Sequence, residues 1–331
     1  MNFTESSFLQ KRRHQNTSIR KMGTLTIIIC HRNETHSTMK QITFNLIFTV
    51  RTNFLRSETN NKKRMKQSAS YNEGWKKHKE IEGEAGEKGI NCLKDISPDL
   101  GGFIIEYAFG DINSRNGLDL KSKGIAVVSA LTAMGAAQPQ LKVYINEALN
   151  TGSSINELKE VILQMSVYSG FPSSIYGMNA LKEVLNERQE QGINETVGKT
   201  ATTDSVLTDR FKKGEQELLQ LYSLQVDRLN GTYNVFSPEL VKFTFEHGYS
   251  NIFSRDNLDK KLRKIATISA LTAKGNAQPQ LKFHINVGLN IGLTVESIKE
   301  IMLLISVYAD FPSAINGINI LKEVVYEREK N

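Results

Sequence analysis

The sequence predicts an all-α protein made of two tandem copies of one helical domain. Three observations predict it. Sliding the chain by about 140 residues aligns Ser97–Gln189 with Ser237–Glu329 without a gap, at about half identity. Apolar residues in both copies recur at helical spacing, and no stretch of either copy alternates like a strand. The clearest match is LTAMGAAQPQLKVYINEALNTG from Leu131 against LTAKGNAQPQLKFHINVGLNIG from Leu271. A chain of 331 residues also suits about two domains.

The net charge of +7 raises the question of a nucleic-acid partner, and its location answers it. Residues 1–66 hold 13 of the 42 Lys/Arg but 3 of the 35 Asp/Glu, a net of +10, leaving −3 for the rest. The basic charge belongs to the leader, so the folded part is not expected to bind nucleic acid. No apolar run reaches the roughly 20 residues of a membrane span, so no membrane partner is expected either. The two cysteines, Cys30 and Cys92, form no Cys-x-x-Cys motif and no disulfide framework.

Residues 1–66 are basic and polar, with two short apolar patches at Leu25–Ile29 and Ile42–Val50. The second follows Met39-Lys40 and resembles the start of a secretory signal, so translation from Met39 would imply export. Arg51 follows at once without an Ala-x-Ala-like site, and the segment reads instead as a disordered extension of a cytoplasmic protein. The first copy is expected at 75–189, a Gly/Thr/Asn-rich linker at 190–205 and the second copy at 206–330.

Each copy then reads as a run of helices. A charged segment, Trp75 to Asp95, leads in as a helix, and Asp209 to Asp227 repeats it, with Asn230-Gly231 marking a turn. Ser97-Pro98-Asp99 reads as an N-cap with proline at the first helical position, and Ser237-Pro238-Glu239 repeats it. A polar loop is expected over Asp111–Asp119. The next helix, from Leu120 to about Ala136, is apolar on nearly every side and so should be buried all round. Pro139 starts another, with Leu141, Tyr144, Ile145, Ala148 and Leu149 on one stripe and Gly152 as its left-handed cap. Ser154-x-x-Glu157 is a capping box for the following helix. Gly170-Phe171-Pro172-Ser173 breaks the chain before a last amphipathic helix that runs to about Arg188.

Histidine limits where imidazole chemistry can lie. His78 lies in the lead-in segment, the repeated stretch Ser97–Gln189 has none, and its counterpart in the second copy has His247 and His284, the latter standing where the first copy has Tyr144. His284 falls on the stripe of Leu281, Ile285, Gly288 and Leu289, so its ring points into the interior or a pocket. It is either a buried His satisfied by a carbonyl or a general acid/base tuned by its surroundings. Glu106/Glu246, Lys123/Arg263 and Arg115/Arg255 repeat in both copies, either as internal ion pairs or as a cradle for a carboxylate-bearing substrate. Asn150/Asn290 and Tyr168/Tyr308 are pocket polar groups or packing residues. No metal motif and no phosphate loop is present.

The runs FIIEYAFGDINSRNGLDLKSK and ELKEVILQMSVYSGFPSS around the Leu131 motif, and their counterparts FTFEHGYSNIFSRDNLDKKLRK and IKEIMLLISVYADFPSA, resemble the carboxymuconolactone decarboxylase family of the alkylhydroperoxidase D-like superfamily. The resemblance covers nearly everything from Ser97 onward. It implies a tandem alkylhydroperoxidase D-like fold. One branch of the superfamily does peroxiredoxin-type chemistry with Cys-x-x-Cys, but the matching positions here hold Ala137 and Gln140, and Ala277 and Gln280. The other branch is cofactor-free and decarboxylates a carboxylated lactone in aromatic-compound breakdown. It carries a His eight residues before the helix-ending glycine, the place of His284 before Gly292, and an Arg at the place of Arg263. The resemblance therefore implies His284, Arg263 and Glu246 as catalytic. Arg255, Asn290, Tyr308, Glu106, Arg115, Lys123 and Tyr144 are the expected substrate-binding residues. It also implies a homo-oligomer, a trimer of fused pairs, with pockets where copies meet. A non-catalytic binding or assembly protein with His284 in its core is the competing expectation.

Overall fold

The computed structural model describes residues 68–135, 138–202 and 209–330; the expectations for residues 1–66 lie outside these. Every element described is helical. In the first copy α1 (Ala69–Cys92) precedes α2 (Pro98–Phe103), which runs directly into a π-helix, Ile104–Asn113. Then come α3 (Leu120–Met134), α4 (Gln138–Asn150) and α5 (Ile155–Glu190). The second copy repeats the order with α6 (Arg210–Arg228), a short π-helix (Leu229–Tyr233), α7 (Pro238–Phe243) and a third π-helix, Thr244–Phe253. It ends with α8 (Lys260–Lys274), α9 (Gln278–Asn290), α10 (Val295–Tyr308) and α11 (Phe311–Lys330).

The apolar helices behave as their composition requires. Helices α3 and α8 pack on each other at the centre, and Ser269 Oγ crosses between them to the carbonyl of Ala126 at 2.7 Å. One core runs through both copies, from Ile125, Ile145 and Met165 to Ile268, Ile285 and Met302. The lead-in helices cross the π-helices at glycine. A Cβ on Gly74 would stand 1.9 Å from the carbonyl oxygen of Ile105, and one on Gly214 1.9 Å from that of Phe245. Only a residue without a side chain permits that approach.

Local expectations hold or fail for identifiable reasons. The capping box of Ser154 and Glu157 is complete, and Gly152 has φ +96°. Ser97 precedes its proline, at φ −151° and ψ 77°, but makes no side-chain cap bond. The loop expected from Asp111 begins only at Ser114, and the turn expected at Asn230-Gly231 is the short π-helix instead. A helix widened to i→i+5 bonding has no 3.6-residue signature, so periodicity reads its end as loop. Gly170 breaks α5 at φ +82°, ψ 163°. In the second copy Asp310 holds that place and caps α11, accepting from the Ser313 backbone N–H at 2.7 Å.

Candidate active site

The stripe of α9 carries His284 inward, where it is 5 % exposed. Its Nε2 lies 3.1 Å from the Tyr168 hydroxyl of the other copy, and its Nδ1 3.2 Å from Lys264 Nζ on α8. The Lys264 ammonium stands over the Phe253 ring, 5.1 Å from its centroid. Phe283 and Tyr168 meet the His284 ring edge-on. His284, Tyr168, Phe253 and Phe283 line a pocket of about 500 Å³, with Lys264 behind the His284 ring. Ser166, Val167, Tyr168 and Phe171 of the first copy line one side; the second copy supplies His247, Tyr249, Phe253, Phe283 and His284 among others. Phe171 and Phe243, both exposed, stand at the mouth.

Burial sets the protonation states. It pushes His284 well below the ordinary histidine range, and Lys264 beside it acts in the same direction, so the ring is neutral. Burial likewise brings Lys264 down to about 7, with Arg263 and Lys260 lowering it further and Glu217 opposing. The Tyr168 phenol is pushed far up by burial and stays protonated. The site thus holds an uncharged imidazole between a hydroxyl and an amine poised near neutrality. Lys264 was not among the residues the sequence singled out. Its signal was there: a lysine in an otherwise buried helix, at a position where the first copy has Gly124.

The corresponding place in the first copy is closed. Tyr144 replaces the imidazole and packs edge-on against Tyr308, with ring centroids 4.9 Å apart. The cavity around them, lined by Asn113, Lys123, Glu147 and Tyr308, is about 10 Å³, room for a single water. Burial, reinforced by Glu82, raises the Glu147 carboxyl well above its usual range. Lys123, lowered to about 8 by burial, spends its ammonium on the carbonyls of Asn113 and Arg115 at 2.8 and 2.6 Å.

The cations expected to hold a carboxylate are engaged elsewhere. Arg255 makes a bidentate pair with Glu160 of the first copy, at 2.7–2.9 Å. Arg263, 3 % exposed, reaches the same carboxylate at 3.3 Å and Gln164 at 3.2 Å. Burial alone would raise the Glu160 carboxyl, but the hydrogen bonds from Arg255 and Asn257 and the charge of Arg263 hold it low. Arg115 clamps Glu300 in the mirror arrangement. Glu246 lies 3.4 Å from Arg210 rather than against His284, and Glu106 is half-buried at the equivalent place on the first π-helix. Asn290 binds Arg328 at 3.0 Å and the Leu221 carbonyl at 3.4 Å. Of the ten residues expected to be catalytic or substrate-binding, His284 alone lines the large pocket, beside Tyr168, which the sequence offered as a pocket or packing group; Lys123, Tyr144 and Tyr308 line the small cavity. Among the described residues no cluster of three or more His, Cys, Asp or Glu gathers to hold a metal.

The sequence matches the carboxymuconolactone decarboxylase family over residues 98–183 and again over 238–323. It is 30 % identical over 124 residues to a 4-carboxymuconolactone decarboxylase of Acinetobacter baylyi, covering 37 % of this chain and 92 % of that protein. It is 28 % identical over 125 residues to a nitrosuccinic acid decarboxylase of Metarhizium robertsii, covering 37 % and 85 %. Over 194 residues it is 24 % identical to peroxisomal protein 2 of Saccharomyces cerevisiae, covering 51 % and 69 %.

Proposed function

Since the chain belongs to the carboxymuconolactone decarboxylase family, with both copies matched, we propose that it is a carboxy-lyase that works without a cofactor on a small unsaturated carboxylic acid. A carboxylated lactone of the 4-carboxymuconolactone type is the first candidate, as one relative is named for that reaction. The observation that carries this reading is His284, a neutral imidazole on the floor of a pocket to which both copies contribute.

The chemistry asks little of the protein. Losing CO2 from a carbon conjugated to a carbonyl leaves a pair of electrons delocalised onto that oxygen. The enzyme must hold the reacting plane, stabilise the oxygen and return one proton to carbon. Tyr168, Tyr249, Phe253 and Phe283 offer flat faces for an unsaturated ring. The Tyr168 hydroxyl, kept protonated by burial, is the hydrogen-bond donor for the developing oxyanion. His284 delivers the proton. Arg255 and Arg263 act at one remove: paired with Glu160, they tie the loop after the third π-helix and α8 to α5, which carries Tyr168. They are not proposed to touch substrate.

The copy-one cavity is too small for such a substrate, so turnover is assigned to the second copy. The test is ultraviolet-monitored loss of 4-carboxymuconolactone by the full chain beside its His284→Gln variant. The expected result is turnover that falls by about 100-fold or more in the variant. Equal turnover in both would remove His284 from the chemistry. No turnover with any of a panel of small unsaturated acids would favour a binding role.

A further inference from the structure

A neutral imidazole raises a question of supply. At neutral pH the buried His284 ring holds one proton, on one nitrogen. To give it up without becoming an anion, the ring must receive another at its second nitrogen in the same event. Of its two nitrogens, Nε2 is beside Tyr168 on the pocket wall, and Nδ1 faces Lys264 at 3.2 Å. Among the described residues His284 is the only hydrogen-bond partner of the Lys264 ammonium, which has no ion pair there.

We propose that Lys264 is the proton source of the site, acting through the His284 ring. It builds on the reading of His284 as the proton-transfer group. The Lys264 Nζ–H bond breaks as Nδ1–H forms, and Nε2–H breaks as the new C–H bond forms on the carbon that lost CO2. The double bond of the ring shifts from one nitrogen to the other. The substrate's negative charge and the ammonium's positive charge are consumed together, leaving a neutral amine, a neutral ring, CO2 and the protonated product. The site resets when Nε2 takes a proton from water and Nδ1 returns its own to the amine. Lys264 is thus a positioning residue as well, because its donation to Nδ1 fixes the tautomer that carries hydrogen on Nε2.

Comparison of the two copies supports this independently. Three positions differ together: Gly124, Tyr144 and Ala148 of the first copy are Lys264, His284 and Gly288 in the second. A side chain on Gly124 would meet the Ala148 Cα and Cβ at 3.0 and 3.1 Å, so the first copy has no room for a lysine. In the second, a Cβ on Gly288 would fall 3.5 Å from Lys264 Cγ and 3.2 Å from Ile268 and Leu293, so glycine there leaves space for the lysine stem. The amine is installed with the imidazole and the space cleared for it, which a histidine acting alone does not require. The charged and titratable groups facing Lys264 are Arg263 and Lys260 on its own helix, Glu217 on α6 and His284 on α9. Glu217 is itself paired with Lys260 at 3.1 Å, so it favours the charged Lys264 only from a distance, and no carboxylate among the described residues pairs with Lys264 directly. An amine poised near 7 can both give and regain a proton at neutral pH.

The test reads the ring directly in the full chain labelled with ¹⁵N-histidine, with His284 assigned by its loss in His284→Gln. In the wild type the two ring nitrogens should be in the Nε2–H tautomer at about pH 6 and shift together in one step near 7, as Lys264 titrates. In Lys264→Met the step should vanish. A step unchanged in that variant, or none in the wild type, overturns the proposal. The second arm is turnover: the wild-type rate should fall on the alkaline side of that step. Lys264→Ala should lose about tenfold or more and regain part of it with added ethylammonium. Turnover in Lys264→Ala equal to wild type also overturns it. If the wild type turns over no acid while the nitrogen step behaves as expected, the decarboxylation reading falls and the Lys264–His284 coupling stands.

Discussion

At the scale of single residues, the cost of the site is written in Lys264. Its amine is brought from 10.5 to about 7 by burial, so the folded chain binds fewer protons than the unfolded one between those values. Stability should therefore rise with pH across that window and be lowest, for this group, below about 7. His284 has the same sign further down: held neutral, it costs stability as pH falls below the ordinary histidine range. Lys264→Met should accordingly be more stable than the wild type at pH 6, by on the order of 3 kcal/mol, with the gap closing toward pH 10. Urea unfolding at a series of pH values measures this. A gap that widens with pH would contradict the assignment. Histidine spacing brought His284 to notice, but no spacing linked it to Lys264 twenty residues away on another helix.

At the scale of elements, glycine decides where helices cross and where they break. Gly214 lets α6 touch the third π-helix, the element that carries His247, Tyr249 and Phe253 into the pocket. Gly214→Ala should push α6 away, costing about 2 kcal/mol or more and weakening pocket occupancy along with stability. The matching change at Gly74 should cost stability while leaving turnover alone, since its helix lines only the small copy-one cavity. Denaturation midpoints beside turnover of the two variants separate these effects. Gly170, at φ +82°, is a different case: Gly170→Ala has no clash to relieve but must hold a left-handed backbone, at about 1–2 kcal/mol. The second copy manages the same break with a capping aspartate, Asp310, so the apparent loss of a glycine there is a change of device.

At the scale of the whole molecule, the two copies are joined by reciprocal clamps. Arg115 of the first grips Glu300 of the second, and Arg255 of the second grips Glu160 of the first. The clamps are unequal, because Glu160 also neutralises the buried Arg263, whereas the first-copy equivalent Lys123 is satisfied by carbonyls. Glu160→Ala should therefore cost about 3–5 kcal/mol by stranding a buried guanidinium, and Glu300→Ala clearly less. Comparison of their urea midpoints checks this. The sequence by itself determined the duplication, the helical class, the capping box at Ser154, the glycine that ends α4 and the histidine that distinguishes the copies. These rest on residue type and near-neighbour spacing, which the chain carries openly. Only the tertiary structure decided that Arg255 and Arg263 serve Glu160 rather than the pocket, and that Asn290 ties to Arg328. It also decided that the pocket needs Tyr168 from one copy and His284 from the other. Those pairings join residues about 40 to 120 positions apart, and which of several chemically suitable partners a buried charge meets is fixed by how helices pack.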